Sequence, residues 1–251
     1  DVRDVVDEVA ATVLPLIRRN DNRLETRVAD GVADMVADVT KVRQVLLNLL
    51  SNASKFTEDG VIRLMVDLAE DDPATVLIRV ADEGIGMTGE QLGRIFDAFS
   101  QAEASTTRNF GGTGLGLVIS RHFSRMMGGD IDVESEPGVG TTFTVRLPLE
   151  LTPAGDPLNA DVEEGEGTGE AGTVLVIDDD ATVHDLLRRM LVKQGFRVDG
   201  ARDGTTGLDR ARALHPDVIL LDVLMPGVDG WSVLSHLKED PALSATPVVM
   251  V

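Results

Sequence analysis

Residues 152–172 read TPAGDPLNADVEEGEGTGEAG, a stretch with no Lys, no Arg and no apolar periodicity. Pro, Gly and acidic residues cannot build a packed face, and the uncompensated carboxylates repel one another along the chain. The segment predicts a flexible acidic linker. It limits the chain to two folding units, residues 1–151 and 173–251. A length of 251 residues with 43% hydrophobic residues gives each unit enough apolar material for its own core.

Charge and composition exclude several functions. The formal net charge is −20 and aromatic residues are 3% of the chain. Phosphate-backbone contacts need Lys and Arg, and base stacking needs aromatic rings, so nucleic acid is not an expected partner. An anionic membrane surface is equally disfavoured, and no apolar run has the length of a membrane span. With no Cys there is neither a disulfide framework nor a thiolate metal site. A cytoplasmic setting is expected, with no membrane contact by this segment.

The first unit reads as mixed α and β. A helix is expected over 2–19, with Pro15 kinking or breaking it. Short strands are expected over 24–29 and 35–39, and a strong helix over 40–56 with Thr40 as its N-cap. Strands over 61–68 and 75–81 flank an Asp-Asp-Pro turn. Residues 95–101 suggest a short helix and 114–127 a longer one. Residues 130–135 and 141–149 form a hairpin-like pair. This order predicts an α+β two-layer sandwich, with mostly antiparallel strands and helices on one sheet face.

Three stretches of this unit carry chemistry. On the 40–56 helix, Lys41, Gln44, Asn48, Asn52 and Lys55 form one narrow stripe. Val42, Val45, Leu46, Leu49 and Ala53 cover the opposite side. An exposed stripe is more readily built from Glu and Lys than from Asn. Asn oxygen can ligate Mg²⁺ and Lys can meet phosphate. Next, ADEGIGM at 81–87 places Asp82 at a strand end before Gly84 and Gly86. A carboxylate there can accept an exocyclic amine while the backbone closes over a flat ring. IFDAFSQ at 95–101 then spaces Phe96 and Phe99 as a core pair. Finally, NFGGTGLGL at 109–117 places Gly111, Gly112, Gly114 and Gly116 before an apolar helix. It lacks the Lys of a P-loop and the spacing of a dinucleotide fingerprint. His122, on the same helix, reads as a surface residue.

The second unit opens with TVLVIDDD, a buried strand ending in acids. Helices are expected over 182–194 and 203–214, and strands over 196–199 and 217–221. DVILL is followed by Asp222, then by Met225-Pro226-Gly227 and Asp229-Gly230. Alternating strands and helices predict a parallel doubly wound sheet, with a site at the strands' C-terminal ends. Carboxylates crowded there need a divalent cation between them.

Taken in order, Asn-x-x-x-Asn-x-x-Lys, Asp-x-Gly-x-Gly, Phe-x-x-Phe and Gly-Gly-Thr-Gly-Leu-Gly-Leu resemble the ATP-binding domain of sensor histidine kinases. That family is shared with gyrase-type and mismatch-repair ATPases, and its fold is the Bergerat-type sandwich. The resemblance implies that Asp82, Gly84 and Gly86 surround adenine, with Asp82 reading its N6. Asn52 would hold Mg²⁺, and Asn48, Lys55 and Arg108 would sit near the phosphates. Gly112, Gly114, Leu115 and Gly116 would border the triphosphate, and 88–110 would be a lid over ATP. The second unit resembles a response-regulator receiver, of flavodoxin-like fold. Asp222 would be its phosphoacceptor, and Asp178, Asp179, Asp222 and the Leu224 carbonyl would bind Mg²⁺.

The family pattern continues past PVVMV to a hydroxyl residue and a Lys. The receiver is therefore expected to be truncated after its fourth strand. None of His122, His184, His215 and His236 stands in a phosphoacceptor context. Together these traits imply part of a hybrid histidine kinase. Its expected partners are a His-bearing helical hairpin upstream and a His-phosphotransfer protein or response regulator downstream, with a homodimeric whole protein. A non-catalytic nucleotide-sensing module and a gyrase-type ATPase are the alternatives.

Overall fold

The computed structural model describes residues 1–32, 34–97, 114–150, 169–223, 225, 227–228 and 230–250. These form two compact units, one up to Glu150 and one from Gly169.

The first unit contains α1 (Val2–Arg19), β1 (Arg23–Val28), α2 (Val39–Phe56), β2 (Val61–Leu68), β3 (Thr75–Asp82), α3 (Gly89–Arg94), α4 (Gly116–Met126), β4 (Asp130–Glu136) and β5 (Gly140–Pro148). Its sheet has the order β1-β2-β3-β5-β4. The β1–β2 pair is parallel and the other three pairs are antiparallel. Strand alternation sorts the two faces. Ile62, Leu64, Val66, Ile78, Val80, Ile131, Phe143, Val145 and Leu147 are buried under the helices. The other face carries ion pairs such as Arg27–Asp67 and Arg63–Glu83. Val2, Val6, Val9, Val13 and Ile17 supply the buried side of α1 at helical spacing. Val42, Val45, Leu46, Leu49, Leu50 and Ala53 do the same for α2.

Four local expectations change. Helix α1 runs unbroken through Pro15, because Pro15 and Ala11, whose carbonyl loses its donor, both lie on the exposed side. Residues 35–39 form no strand; Val36 makes one isolated bridge to Glu150. That segment instead leads into α2. Asp38, not Thr40, is the N-cap, and its carboxylate accepts from the Thr40 and Lys41 N–H groups. Residues 95–97, the described part of the expected 95–101 helix, are not helical; α3 precedes them, starting at a Thr88–Gln91 capping box and ending at Arg94. Residues 98–101 lie outside the described set.

The second unit contains β6 (Thr173–Ile177), α5 (Ala181–Lys193), β7 (Arg197–Ala201), α6 (Gly204–Leu214), β8 (Val218–Leu221), α7 (Gly230–Glu239) and β9 (Val248–Met250). The strands are parallel in the order β7-β6-β8-β9. Leu175, Ile177, Ile219 and Leu221 meet Ala211, Val233, Leu237 and Leu243 in one core. Strands β6 and β8 are direct neighbours, so their C-terminal ends open side by side.

Candidate functional site

In the first unit, the helix-facing side of the sheet turns polar at one end. Register places Asp82 opposite Thr141, and Thr141 opposite Ser135. All three continue the inward phase of their strands, whose other inward residues are apolar. The Ser135 and Thr141 hydroxyls lie 2.9 Å apart, and Ser135 Oγ accepts from Met87 N–H at 2.8 Å. Asp82 Oδ1 accepts from Gly84 N–H at 2.9 Å. Burial raises the pKa of the Asp82 carboxyl, and hydrogen bonds from the Gly84 and Thr141 backbone work against that rise. An open cleft of about 350 Å³ is lined by Asp82, Ser135, Gly140 and Thr141 among others.

Glycines shape this end by letting backbones touch. A Cβ on Gly84 would stand 2.3 Å from the Phe56 carbonyl oxygen. One on Gly86, whose φ is +62°, would stand 1.9 Å from the Glu136 carbonyl oxygen. The 84–86 turn is thereby pinned between the end of α2 and the β4–β5 hairpin.

The polar stripe of α2 faces α4. Asn48 Nδ2 donates to Ser120 Oγ at 2.8 Å, and Asn52 Nδ2 donates to Asn48 Oδ1 at 3.2 Å. Lys41 Nζ stands 5.2 Å from the Phe123 ring centroid and 3.3 Å from Asp38. Lys55, in the last turn, sits 4.8 Å from the Phe56 centroid, and burial lowers its pKa.

Helix α4 begins differently from its counterparts. A side-chain oxygen caps each of α1, α2, α3, α5 and α6. Helix α4 has Leu115 at its N-cap and no side-chain cap. Gly114 precedes it in the left-handed region at φ +70°. The first N–H groups of a helix carry positive potential that suits an anion. Gly114, Leu115 and Gly116 thus stand at a helix start facing the Asn48 side of α2. Arg108, Gly112 and most of 88–110 lie outside the described residues, so their expected roles gain no placement. His122 is corrected. It is buried, because α4 is wedged between α2 and the β4–β5 edge and buries Ile119, Ser120, Phe123 and Ser124 with it.

In the second unit, Asp178 and Asp179 follow β6 and Asp222 follows β8. Their carboxylate oxygens lie within 4.8 Å of one another. Asp178 and Asp222 are buried and Asp179 is exposed. Desolvation, then the charge of Asp222, pushes the Asp178 carboxyl up to about 8, against a hydrogen bond from Asp180 N–H. Three hard oxygen donors held that closely, two of them buried, fit a divalent cation such as Mg²⁺. Leu224 lies outside the described residues.

Residues 37–151 match the family of histidine kinase-, DNA gyrase B-, and HSP90-like ATPases, and residues 174–251 match the response regulator receiver domain. The chain joins an ATPase domain of that family to a receiver domain. It is 37% identical over 204 residues to the sensor protein EvgS of Escherichia coli O157:H7, spanning 80% of this chain and 17% of that protein. It is 35% identical over 254 residues to the sensor histidine kinase AruS of Pseudomonas aeruginosa, spanning 98% of this chain and 25% of that protein. The chain thus spans a quarter or less of these relatives. Among solved structures, the catalytic domain of the histidine kinase ThkA superposes with a TM-score of 0.51 at 26% identity, covering 60% of this chain and 93% of that one. Full-length ShkA, solved with AMPPNP, gives a TM-score of 0.53 at 23% identity over 100% of this chain and 76% of that one, a likeness of fold.

Sequence reasoning missed four polar residues of the ATPase domain: Ser120, Ser135, Thr141 and Thr57, which is buried just after α2. For Thr141 a signal existed. In Thr141-x-Phe143-x-Val145-x-Leu147 it occupies the core phase of an alternating strand. The described part of the chain contains no helix long and apolar enough to cross a membrane.

Proposed function

We propose that the ATPase domain binds ATP with Mg²⁺ and that the whole protein moves the γ-phosphoryl to a histidine on a segment outside this chain, then onward to Asp222. The observation that carries this reading is the glycine-flanked start of α4, Gly114 to Gly116, set against the Asn48–Asn52 stripe, with a half-buried carboxylate, Asp82, at the sheet end beside the end of α2. Asp82 would accept a hydrogen bond from the adenine amine, and Gly84 and Gly86 would let backbone approach the ring. The N–H groups of Gly114, Leu115 and Gly116, with Asn48, Lys55 and Arg108, would bind the phosphates, and Gly112 would border them. Asn52 would hold Mg²⁺ in this domain; Asp178, Asp179, Asp222 and the Leu224 carbonyl would hold it in the receiver. A bound Mg²⁺ supplies positive charge that offsets the charge on phosphoryl oxygens.

The reaction would break the bond between the γ-phosphorus and the ADP oxygen and form a phosphorus–nitrogen bond on histidine. The relay step would break that bond and form an acyl phosphate on an Asp222 oxygen. Partners of this chemistry are a His-bearing hairpin of the same protein and a His-phosphotransfer protein or response regulator. A homodimeric, cytoplasmic catalytic region accords with it. The test is labelling of the whole protein with γ-labelled ATP. Base-stable label on histidine should accumulate when Asp222→Asn blocks onward transfer. Equal base-stable label with and without Asp222 would remove the relay from the account.

A further inference from the structure

Ser120 is the residue of the ATPase domain whose placement exceeds its expected role. It is 2% exposed, on α4, and its Oγ accepts from Asn48 Nδ2 at 2.8 Å. This bond ties the Asn48 amide to α4. An Asn amide has one end that donates and one that accepts. With its nitrogen spent on Ser120, Asn48 presents Oδ1 toward α2's next turn, where it accepts from Asn52 Nδ2 at 3.2 Å. Asn52 in turn has its nitrogen engaged, so its oxygen is the end left for a ligand. A cation needs that oxygen; an amide presented the other way round would offer it N–H groups.

The glycine beside this relay reinforces it. A Cβ on Gly116 would lie 2.3 Å from Asn48 Oδ1, so the bare Cα leaves room for that oxygen where it stands. Ser124 Oγ donates to the Ser120 carbonyl at 3.0 Å, which ties the same turn of α4 together one step further from the cleft.

We infer that Ser120 is a positioning residue that anchors the Asn48 amide to α4, and through it holds Asn52 in place, so that the Asn52 oxygen meets the metal of a bound metal–nucleotide. The inference rests on the nucleotide reading above. It adds that an α4 hydroxyl sets the metal dependence of binding without touching nucleotide or metal. Removing the hydroxyl frees Asn48 to rotate its amide, and Asn52 loses the acceptor that orders its own.

The experiment is titration of the 251-residue chain and its Ser120→Ala and Ser120→Thr variants with ATP, once with Mg²⁺ and once with EDTA, with melting curves alongside. Ser→Ala is nearly isosteric in a buried helix, so Ser120→Ala should fold. Loss of a residue that orders a metal ligand is expected to weaken Mg-ATP binding about tenfold. Metal-free ATP binding should fall by a smaller factor, about twofold, since only the Asn48 contact among the phosphate contacts is loosened. Ser120→Thr, which keeps the hydroxyl, should retain the metal-dependent gain. Equal losses with and without Mg²⁺ would mean that Ser120 only supports the fold, and unchanged Mg-ATP affinity in Ser120→Ala would also overturn the inference. If the unaltered chain bound no ATP, the nucleotide reading itself would fall instead.

Discussion

Replacing Gly116 with Ala sets two effects of known size against each other. Intrinsic propensity favours the change, since Ala in a helix interior is better than Gly by about 0.5–1 kcal/mol. Gly116 is the first residue of α4, so only part of that gain applies. Geometry opposes the change more strongly. The new Cβ would lie 2.3 Å from Asn48 Oδ1 and 2.9 Å from its Cγ. Asn48 must retreat by roughly 1 Å, the gap between that distance and an ordinary contact. The retreat weakens its bonds to Ser120 and Asn52, each worth about 1 kcal/mol net. The balance is a loss of about 1–2 kcal/mol. For a domain of this size that lowers Tm by about 3–6 °C. Scanning calorimetry should show the fall in the ATPase transition alone, and titration should show weaker ATP binding. A Tm that rises, with ATP affinity unchanged, would refute the reasoning and leave propensity as the ruling effect.

Other outcomes follow from charge placement. Burial raises the Asp130 pKa, but hydrogen bonds from Arg121 and Arg125 outweigh it and bring the carboxyl to about 2. A depressed acid contributes stability that is present above its unfolded value of 3.8 and lost as pH falls toward about 2. Because the side chain is 39% exposed, screening limits this to about 1 kcal/mol. Urea unfolding of Asp130→Asn should show that deficit near neutral pH and its disappearance in acid; a deficit independent of pH would contradict it. Asp178 has the opposite sign. Its raised value, about 8, means that metal-free stability is full below 3.8 and declines as pH rises toward 8. Asp178→Asn should flatten that decline and abolish the stabilisation gained on adding Mg²⁺, as read from the receiver's unfolding transition at several pH values. Lastly, His122 is buried, His184 Nε2 is 2.8 Å from the Asp178 carbonyl, His215 caps α6 and His236 lies on α7. Incubating this chain alone with γ-labelled ATP should therefore leave no base-stable label on histidine.

The sequence made long periodic elements legible and left junctions obscure. Val42, Val45, Leu46, Leu49 and Ala53 announce α2 because a buried helix face repeats every three to four residues. The same helix's start is not legible in the pattern. Val36 and Val39 look like strand residues, yet the Asp38 carboxylate captures two N–H groups and turns the chain into a helix. Pro15 reads as a breaker by propensity, yet burial decides whether its missing bond matters, and it lies on the exposed side. In the receiver, two apolar strands each ending in Asp already implied a carboxylate cluster, and parallel pairing of β6 with β8 brings it together. The Ser120–Asn48–Asn52 relay was invisible, because Ser120 is 72 residues from Asn48 and nothing local ties it to α2.

Titration calorimetry of the 251-residue chain with ATP in Mg²⁺, beside Asn52→Ala and Asp82→Ala, tests the nucleotide site most directly. The unaltered chain should bind one ATP. Asn52→Ala should lose the part of the affinity that depends on Mg²⁺. Asp82→Ala should weaken ATP and erase its preference over GTP, whose ring carries an acceptor where adenine carries the amine. If both variants bound ATP as tightly as the unaltered chain, with the same Mg²⁺ dependence and the same preference, the site would lie elsewhere.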